Sequence, residues 1–96
     1  MRVVYTLDAH ANLDTILSRL LLENSLAAVA LAKSIDSAVA RVAMFPKSAP
    51  IVSFGEHIRV VTLPRFPYRI FYRIKPDVIE ILHIRHTSRA PWEGRR

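Results

Sequence analysis

The sequence contains no cysteine, and its first 45 residues contain neither proline nor glycine. The absence of cysteine excludes disulfide bonds, thiolate zinc sites and cysteine nucleophiles. The absence of proline and glycine leaves the first half without the residue types that most often interrupt regular structure, which favours long helices there. The longest unbroken apolar run, residues 26–32, is much shorter than the roughly 18 residues that a membrane-spanning helix needs.

The length of the chain indicates one domain. A chain of 96 residues buries roughly 60–70% of its unfolded surface, which suffices for one hydrophobic core and leaves no room for two. The apolar fraction of 51% is typical of a globular protein. Asp8 interrupts the stretch that would have to be apolar in a signal peptide. We therefore predict a single domain over residues 1–96, located in the cytoplasm and without a membrane partner.

The positive charge is confined to the C-terminal part of the sequence. Residues 1–58 carry five basic and five acidic side chains, whereas residues 59–96 carry nine basic and three acidic ones. The formal net charge of +6 therefore lies entirely in the second segment. Such an excess of basic over acidic side chains favours a negatively charged partner, such as a nucleic acid, an acidic protein or an anionic surface.

Residue spacing in the first half predicts a short strand followed by two helices. The β-branched and aromatic residues 3–6 favour the strand, and Asp8 is placed to cap the first helix. Leucine and isoleucine then recur at helical spacing and form one apolar stripe. The first helix breaks before Ser25, which is placed to cap the second helix, and the second helix ends at residues 45–46. So short a link between the helices predicts an antiparallel hairpin.

In the second half the spacing changes to that of strands. Residues 57–63, 68–75 and 78–85 are predicted to form three strands joined by proline-containing connections. Consecutive strands with short connections pair as an antiparallel meander. With the helical hairpin on one face of the sheet, the chain is predicted to have an α+β fold with one small sheet.

Alternation along the predicted strands separates apolar from basic side chains. Tyr72 points to one face of the sheet, whereas Arg69 and Arg73 point to the other. In the last strand the same alternation groups Leu82 with Ile84. The helices are expected to cover the apolar face, which leaves an open face that carries arginine.

The two closing strands and the residues around them carry the most specific pattern in the sequence. Residues 67–74 read PYRIFYRI, and residues 79–86 read IEILHIRH and lead into a tail that ends near Trp92. The opening residues 3–6 (VVYT) and residues 55–61 (GEHIRVV) add to this pattern. Together these stretches resemble the RelE/ParE superfamily of bacterial type II toxins. The resemblance covers nearly the whole chain and implies the α+β fold described above.

The superfamily divides by activity, and the division is visible in side chains. RelE-like members cut mRNA on the ribosome with two lysines on the strand before the tyrosine–arginine strand. Those positions are Val60 and Thr62 here, and neither side chain can balance the charge of a cleaved phosphate. The resemblance therefore implies a ParE-like toxin, which inhibits DNA gyrase by binding and uses no cofactor. Such toxins cause growth arrest, are linked to plasmid stabilisation, and are neutralised by a small acidic antitoxin.

The resemblance also implies where partners bind and how toxin and antitoxin assemble. The surface for gyrase and antitoxin is expected on the closing strands and the tail, at Arg69, Arg73, Arg85, His86, Arg89 and Trp92. Toxin and antitoxin are expected to form a higher-order oligomer.

A ribosome-dependent mRNA endonuclease is the alternative function. Its catalytic residues would be Arg69, His86 and Arg89. Another branch of RNA-cutting relatives uses a glutamate and a histidine, and Glu56 with His86 is the pair in this sequence that imitates it. No metal site is expected, because no carboxylate or cysteine stands at ligand spacing from His57, His83 and His86.

Overall fold

The computed structural model describes residues 1–52 and 57–88. The elements run in the order β1 (Arg2–Tyr5), α1 (Leu7–Glu23), α2 (Ser25–Met44), β2 (Arg59–Thr62), β3 (Tyr68–Ile74) and β4 (Val78–His86). The four strands form one sheet in the order β1-β4-β3-β2. β1 pairs with β4 in parallel, and the other two pairings are antiparallel. The predicted α+β fold, with its helical hairpin and three-strand meander, is confirmed.

The helix caps differ from those predicted by one or two positions. Thr6, not Asp8, caps α1: its hydroxyl accepts a hydrogen bond from the Ala9 amide at 3.1 Å. Asn24, not Ser25, caps α2, because its side-chain oxygen accepts from the Ala27 amide at 3.1 Å. Each capping residue still has extended backbone, which is the geometry that lets a side chain reach the free amides of the first turn.

The main hydrophobic core lies between the helices and one face of the sheet. α2 contributes the apolar face that its spacing predicts, with Leu31, Ile35, Ala38 and Val42 all buried. The sheet contributes a set of buried side chains from its two central strands: Ile70, Tyr72, Ile79, Ile81 and Ile84. Among the described residues of α1, Ala9 is the buried one, and the leucine stripe is partly buried against the core. Neither helix in residues 1–52 and 57–88 is long and apolar enough to cross a bilayer.

An irregularity in the β3–β4 pairing changes which side chains share a face. Phe71 pairs with His83, but Tyr72 pairs with Ile81, so Leu82 is an extra residue opposite no residue of β3. Such a β-bulge inverts the alternation on one side of it. The expectation that Leu82 and Ile84 share a face is therefore wrong, because Ile84 joins the core beneath the helices and Leu82 points to the opposite face.

The face of the sheet opposite the helices is not simply open. Ile58, Phe71 and Leu82 form a second buried cluster there, with Val52 and Val60 packed against it. The prediction of an open arginine-bearing face is wrong at the centre of the sheet, where Phe71 is only 2% exposed. The reason is that Val52 and Ile58 pack in the cluster with Phe71, and the hydrogen bond from the Val52 amide to the Ile58 carbonyl holds them together.

Tyr72 ties β3 to the end of the helical hairpin. Its ring is fully buried, and its hydroxyl donates a 2.6 Å hydrogen bond to the Pro46 carbonyl just after α2. The Arg59 guanidinium donates to the Ala49 carbonyl at 2.7 Å in the same connection. Burial raises the pKa of the Tyr72 hydroxyl, and the positive charge of Arg59 opposes part of that shift. These two bonds fix the loop that carries the chain from the helices to the sheet.

We expect the Tyr72→Phe variant to be less stable than the wild type by about 1 kcal/mol, since the Pro46 carbonyl loses its donor. The raised pKa of Tyr72 means that folding favours the neutral hydroxyl. Its contribution to stability is complete below the ordinary tyrosine pKa of about 10 and is lost as the pH rises through the folded-state value. Urea unfolding at neutral and alkaline pH measures both effects.

The difference in unfolding free energy between wild type and variant should therefore shrink as the pH is raised above the ordinary tyrosine pKa. Tyr5, whose pKa is also raised by burial and by Asp36, is present in both proteins and cancels in the comparison. A difference that stays constant across this alkaline range would contradict the role of the Tyr72 hydroxyl.

Candidate functional site

Two arginines lie side by side at one end of the sheet, next to the turn that joins β2 to β3. Arg69 of β3 and Arg85 of β4 are directly opposite one another in the antiparallel register, so both side chains lie on the face away from the helices. Arg69 makes one long contact, 3.4 Å from its Nη1 to the Thr87 carbonyl. The Nε of Arg85 is buried and has no hydrogen-bond partner among the described residues. Like charges directly opposite each other destabilise a strand pair.

Arg73, the third arginine of this face, is neutralised within the fold. It pairs across the strands with Glu80, and its Nη2 lies 3.0 Å from the Glu80 carboxylate. Lys75 approaches the second oxygen of the same carboxylate at 3.9 Å. The predicted arginines therefore differ in their partners. Arg73 forms an ion pair with Glu80, whereas no acidic side chain of the described residues pairs with Arg69 or Arg85.

The strand on the other side of Arg69 brings no further cation to this face. Thr62 is opposite Arg69 and Val60 is opposite Phe71, so these β2 residues share the face of Arg69. Val60 packs against the apolar cluster, and Thr62 is exposed. The register thus places Val60 and Thr62 at the positions beside Arg69 where a RelE-like toxin would have its two lysines.

His86 lies on the opposite face from Arg69. It pairs with Tyr68 across the strands, and the two rings meet edge to face with centroids 5.2 Å apart. The Ser88 amide donates to His86 Nδ1 at 3.0 Å, and the Ser88 hydroxyl lies 2.7 Å from the same nitrogen. A backbone amide can only donate, so Nδ1 is the acceptor in this arrangement and the ring proton is on Nε2.

An open cavity of about 410 Å³ lies between α1 and the end of β4. Its polar lining comes from both elements: Asn12, Thr15, Arg19 and Glu23 of α1, and Tyr68, Arg85, His86 and Ser88 from the closing strands and the turn after them. The α1 residues were not predicted from the sequence, because only the packing of α1 against β4 brings them to this cavity.

Three of the predicted site residues lie outside the described residues. These are Glu56, Arg89 and Trp92. Within residues 1–52 and 57–88, no group of three or more metal-ligating side chains occurs. Of the proposed nuclease residues, Arg69 and His86 leave the sheet from opposite faces, so the fold does not aim them at one phosphodiester.

Because Arg73 and Arg85 have different surroundings, we expect their substitutions to change the free energy of unfolding in opposite directions. Arg85→Gln should raise the free energy of unfolding by roughly 0.2–1 kcal/mol, since it removes a like-charge cross-strand pair. Arg73→Gln should lower it by up to about 1 kcal/mol, because a partly exposed ion pair is lost. Thermal unfolding at low and high salt measures both, and salt should reduce both differences. A stability loss in Arg85→Gln matching that of Arg73→Gln would contradict the assignment.

Comparison with known proteins places the chain in a family. The family model described as "ParE toxin of type II toxin-antitoxin system, parDE" matches residues 3–91. A solved structure, "Chromosomal ParDE TA system from P. aeruginosa", is similar with a TM-score of 0.77 and 26% identity, over 90% of this chain and 95% of that chain. A sequence comparison with curated proteins found no significant match. Because the family model covers most of the chain, including both helices and the whole meander, the protein belongs to the ParE toxin family of type II toxin–antitoxin systems.

Proposed function

We propose that the chain is a toxin that inhibits DNA gyrase by binding it, and that a cognate acidic antitoxin neutralises it in the cytoplasm. The observation that carries this proposal is the Arg69–Arg85 pair on the face away from the helices. The two arginines lie opposite one another, and no carboxylate of the described residues balances them. A partner with acidic side chains would neutralise the positive charge of this surface.

An acidic partner suits this surface for two physical reasons. A carboxylate placed between Arg69 and Arg85 would remove the repulsion between their guanidinium groups. Guanidinium groups also bind carboxylates with paired, charge-assisted hydrogen bonds. An antitoxin that covers these arginines would hide the surface that gyrase needs, which explains neutralisation by simple competition.

Ribosome-dependent mRNA cleavage is less well supported. Cleavage needs a base to activate the attacking hydroxyl and fixed cations for the developing charge. In the described residues, Thr62 and Val60 stand beside Arg69 and Phe71, and His86 lies on the other face of the sheet. The described residues therefore give this face arginine charge for binding, but neither the pair of lysines nor His86 for cleavage.

A supercoiling assay with purified gyrase tests the proposal. Arg69→Ala and Arg85→Ala should each weaken inhibition by about tenfold, because arginine is often a dominant residue at protein interfaces. Arg65→Ala is the matched control, since Arg65 is exposed in the turn before β3 and should inhibit like the wild type. Messenger RNA with codon-positioned ends after induction, lost in His86→Ala, would overturn the proposal in favour of the endonuclease.

Truncation after Ser88 tests the contribution of the tail, which carries Arg89 and Trp92. We expect the shortened protein to lose growth arrest and gyrase inhibition while its melting temperature and antitoxin binding stay close to those of the full chain. Tryptophan and arginine are frequent interface hot spots, each worth about 2 kcal/mol or more when truncated. A shortened protein that unfolds would make the tail structural, and one that stays toxic would place the working surface on Arg69 and Arg85 alone.

A further inference from the structure

Three polar side chains form a line across the outer face of the sheet, which is the face away from the helices. Thr62 of β2 is opposite Arg69 of β3, and Arg69 is opposite Arg85 of β4. Residues directly opposite one another in antiparallel strands share a face, so all three side chains leave the sheet on the same side. Neighbouring strands are about 4.8 Å apart, so the line is roughly 10 Å long. We call these three residues the outer row.

Every side chain of the outer row can donate hydrogen bonds. Each arginine carries five N–H donors and no acceptor, and the threonine hydroxyl can donate or accept. Arg69 uses one donor in its 3.4 Å contact with the Thr87 carbonyl. Because the two arginines stand side by side on adjacent strands, an anion with two exposed oxygens can accept from both. A phosphodiester has such a pair of oxygens, and guanidinium groups bind phosphate with paired, charge-assisted hydrogen bonds.

The acidic side chains of the closing strands lie at the other end of the sheet. Among the described residues from 59 to 88 they are Asp77 and Glu80, and the Glu80 carboxylate is 3.0 Å from Arg73 Nη2. Arg73 is four residues along β3 from Arg69, which corresponds to about 14 Å. That separation exceeds the distance of about 8–10 Å beyond which physiological salt screens exposed charges. Glu80 therefore does not cancel the positive charge of the outer row.

In the part of the chain that the structure describes, the outer face has no exposed phenylalanine, tyrosine or tryptophan beside the outer row. Phe71 is the neighbouring aromatic residue on this face, and it is only 2% exposed because it packs with Ile58 and Leu82. Tyr68 and Tyr72 pack in the core on the helix side. Proteins that bind single strands use exposed aromatic rings on which bases stack. The outer row instead suits the backbone of a duplex, whose phosphates are bound without stacking.

We propose that the outer row binds the phosphate backbone of duplex DNA, so that the toxin contacts the DNA that gyrase holds as well as the enzyme. This inference rests on the proposed function, because it names the ligand of the arginine pair in the complex with gyrase. Double-stranded DNA carries one negative charge per about 1.7 Å of its axis, so a row of roughly 10 Å meets phosphate in any register. An acidic antitoxin that covers the row competes with DNA for the same arginines.

Fluorescence anisotropy of a short, labelled DNA duplex measures this contact with the purified full chain. The wild type should bind at low salt, and the logarithm of its affinity should fall linearly with the logarithm of the salt concentration. Arg69→Gln and Arg85→Gln should each weaken binding about fivefold at low salt and reduce that slope by about one. Arg69→Lys should keep the slope of the wild type, because lysine also binds phosphate as a point charge.

Arg41→Gln is the matched control, because it removes the same charge from an exposed position of α2, on the helix side of the sheet. It should bind the duplex with the affinity and slope of the wild type. Two duplexes of unrelated sequence should bind equally, since backbone contacts carry no sequence information. A wild type that does not bind the duplex at low salt would overturn the inference, and so would slopes that neither glutamine variant changes.

Thermal unfolding shows whether weaker binding reflects a loss of folding. Arg69→Gln and Arg85→Gln should melt at or above the temperature of the wild type, since each removes one member of a like-charge cross-strand pair. Weaker DNA binding by a protein that melts in this way is a loss of contact. If Arg69→Lys loses as much of the slope as Arg69→Gln, the charge at this position does not bind phosphate and the inference fails.

Binding to gyrase with and without DNA separates a phosphate from a carboxylate of the enzyme. DNA on gyrase should raise the affinity of the wild type about tenfold, which corresponds to about 1.4 kcal/mol, and Arg69→Gln should lose this gain. If Arg69→Gln weakens binding equally with and without DNA, the arginine contacts protein, and this inference fails while the proposed function stands. If the toxin binds the duplex with the expected slopes but leaves supercoiling unaffected, the proposed function fails and the DNA contact stands.

Discussion

The position of β4 is the constraint on which the rest of the structure depends. It pairs with β1 on one edge and with β3 on the other, and it is buried on both faces. Ile79, Ile81 and Ile84 pack beneath the helices, while Leu82 packs in the cluster on the far face. Alternation alone sends Ile81 and Leu82 to opposite faces, and the bulge that follows returns Ile84 to the core beneath the helices.

The same strand also bounds the cavity beside α1. Since β1 ends at Tyr5, α1 begins beside the unpaired part of β4 and satisfies it with Thr6 and Asn12. The helix then runs on beside β4, and the space that remains between them is the cavity lined by Arg19 and Arg85. The end of β4 thus separates the arginine pair on the outer face from the cavity on the helix side.

Much of the fold follows from the sequence because its signals are local. The lack of proline and glycine before residue 46 and the apolar spacing of α2 predict the helices. The alternating strands and their proline-containing connections predict the meander. The pattern of the closing strands was enough to indicate the family. These features depend on neighbouring residues, and tertiary packing did not alter them.

Tertiary structure alone decided which groups meet. The bulge cannot be read from a sequence that alternates regularly, so the grouping of Leu82 with Ile84 on one face was wrong. The arginines looked alike in the sequence, yet the register gives Glu80 to Arg73 and places Arg69 opposite Arg85. The Asn12 side chain reaches the Ile84 amide, and Arg19 lines the cavity, only because α1 packs beside the end of β4. Local spacing sets helices and strands, whereas a binding site depends on contacts between residues far apart in the chain, and those are fixed by how the elements pack.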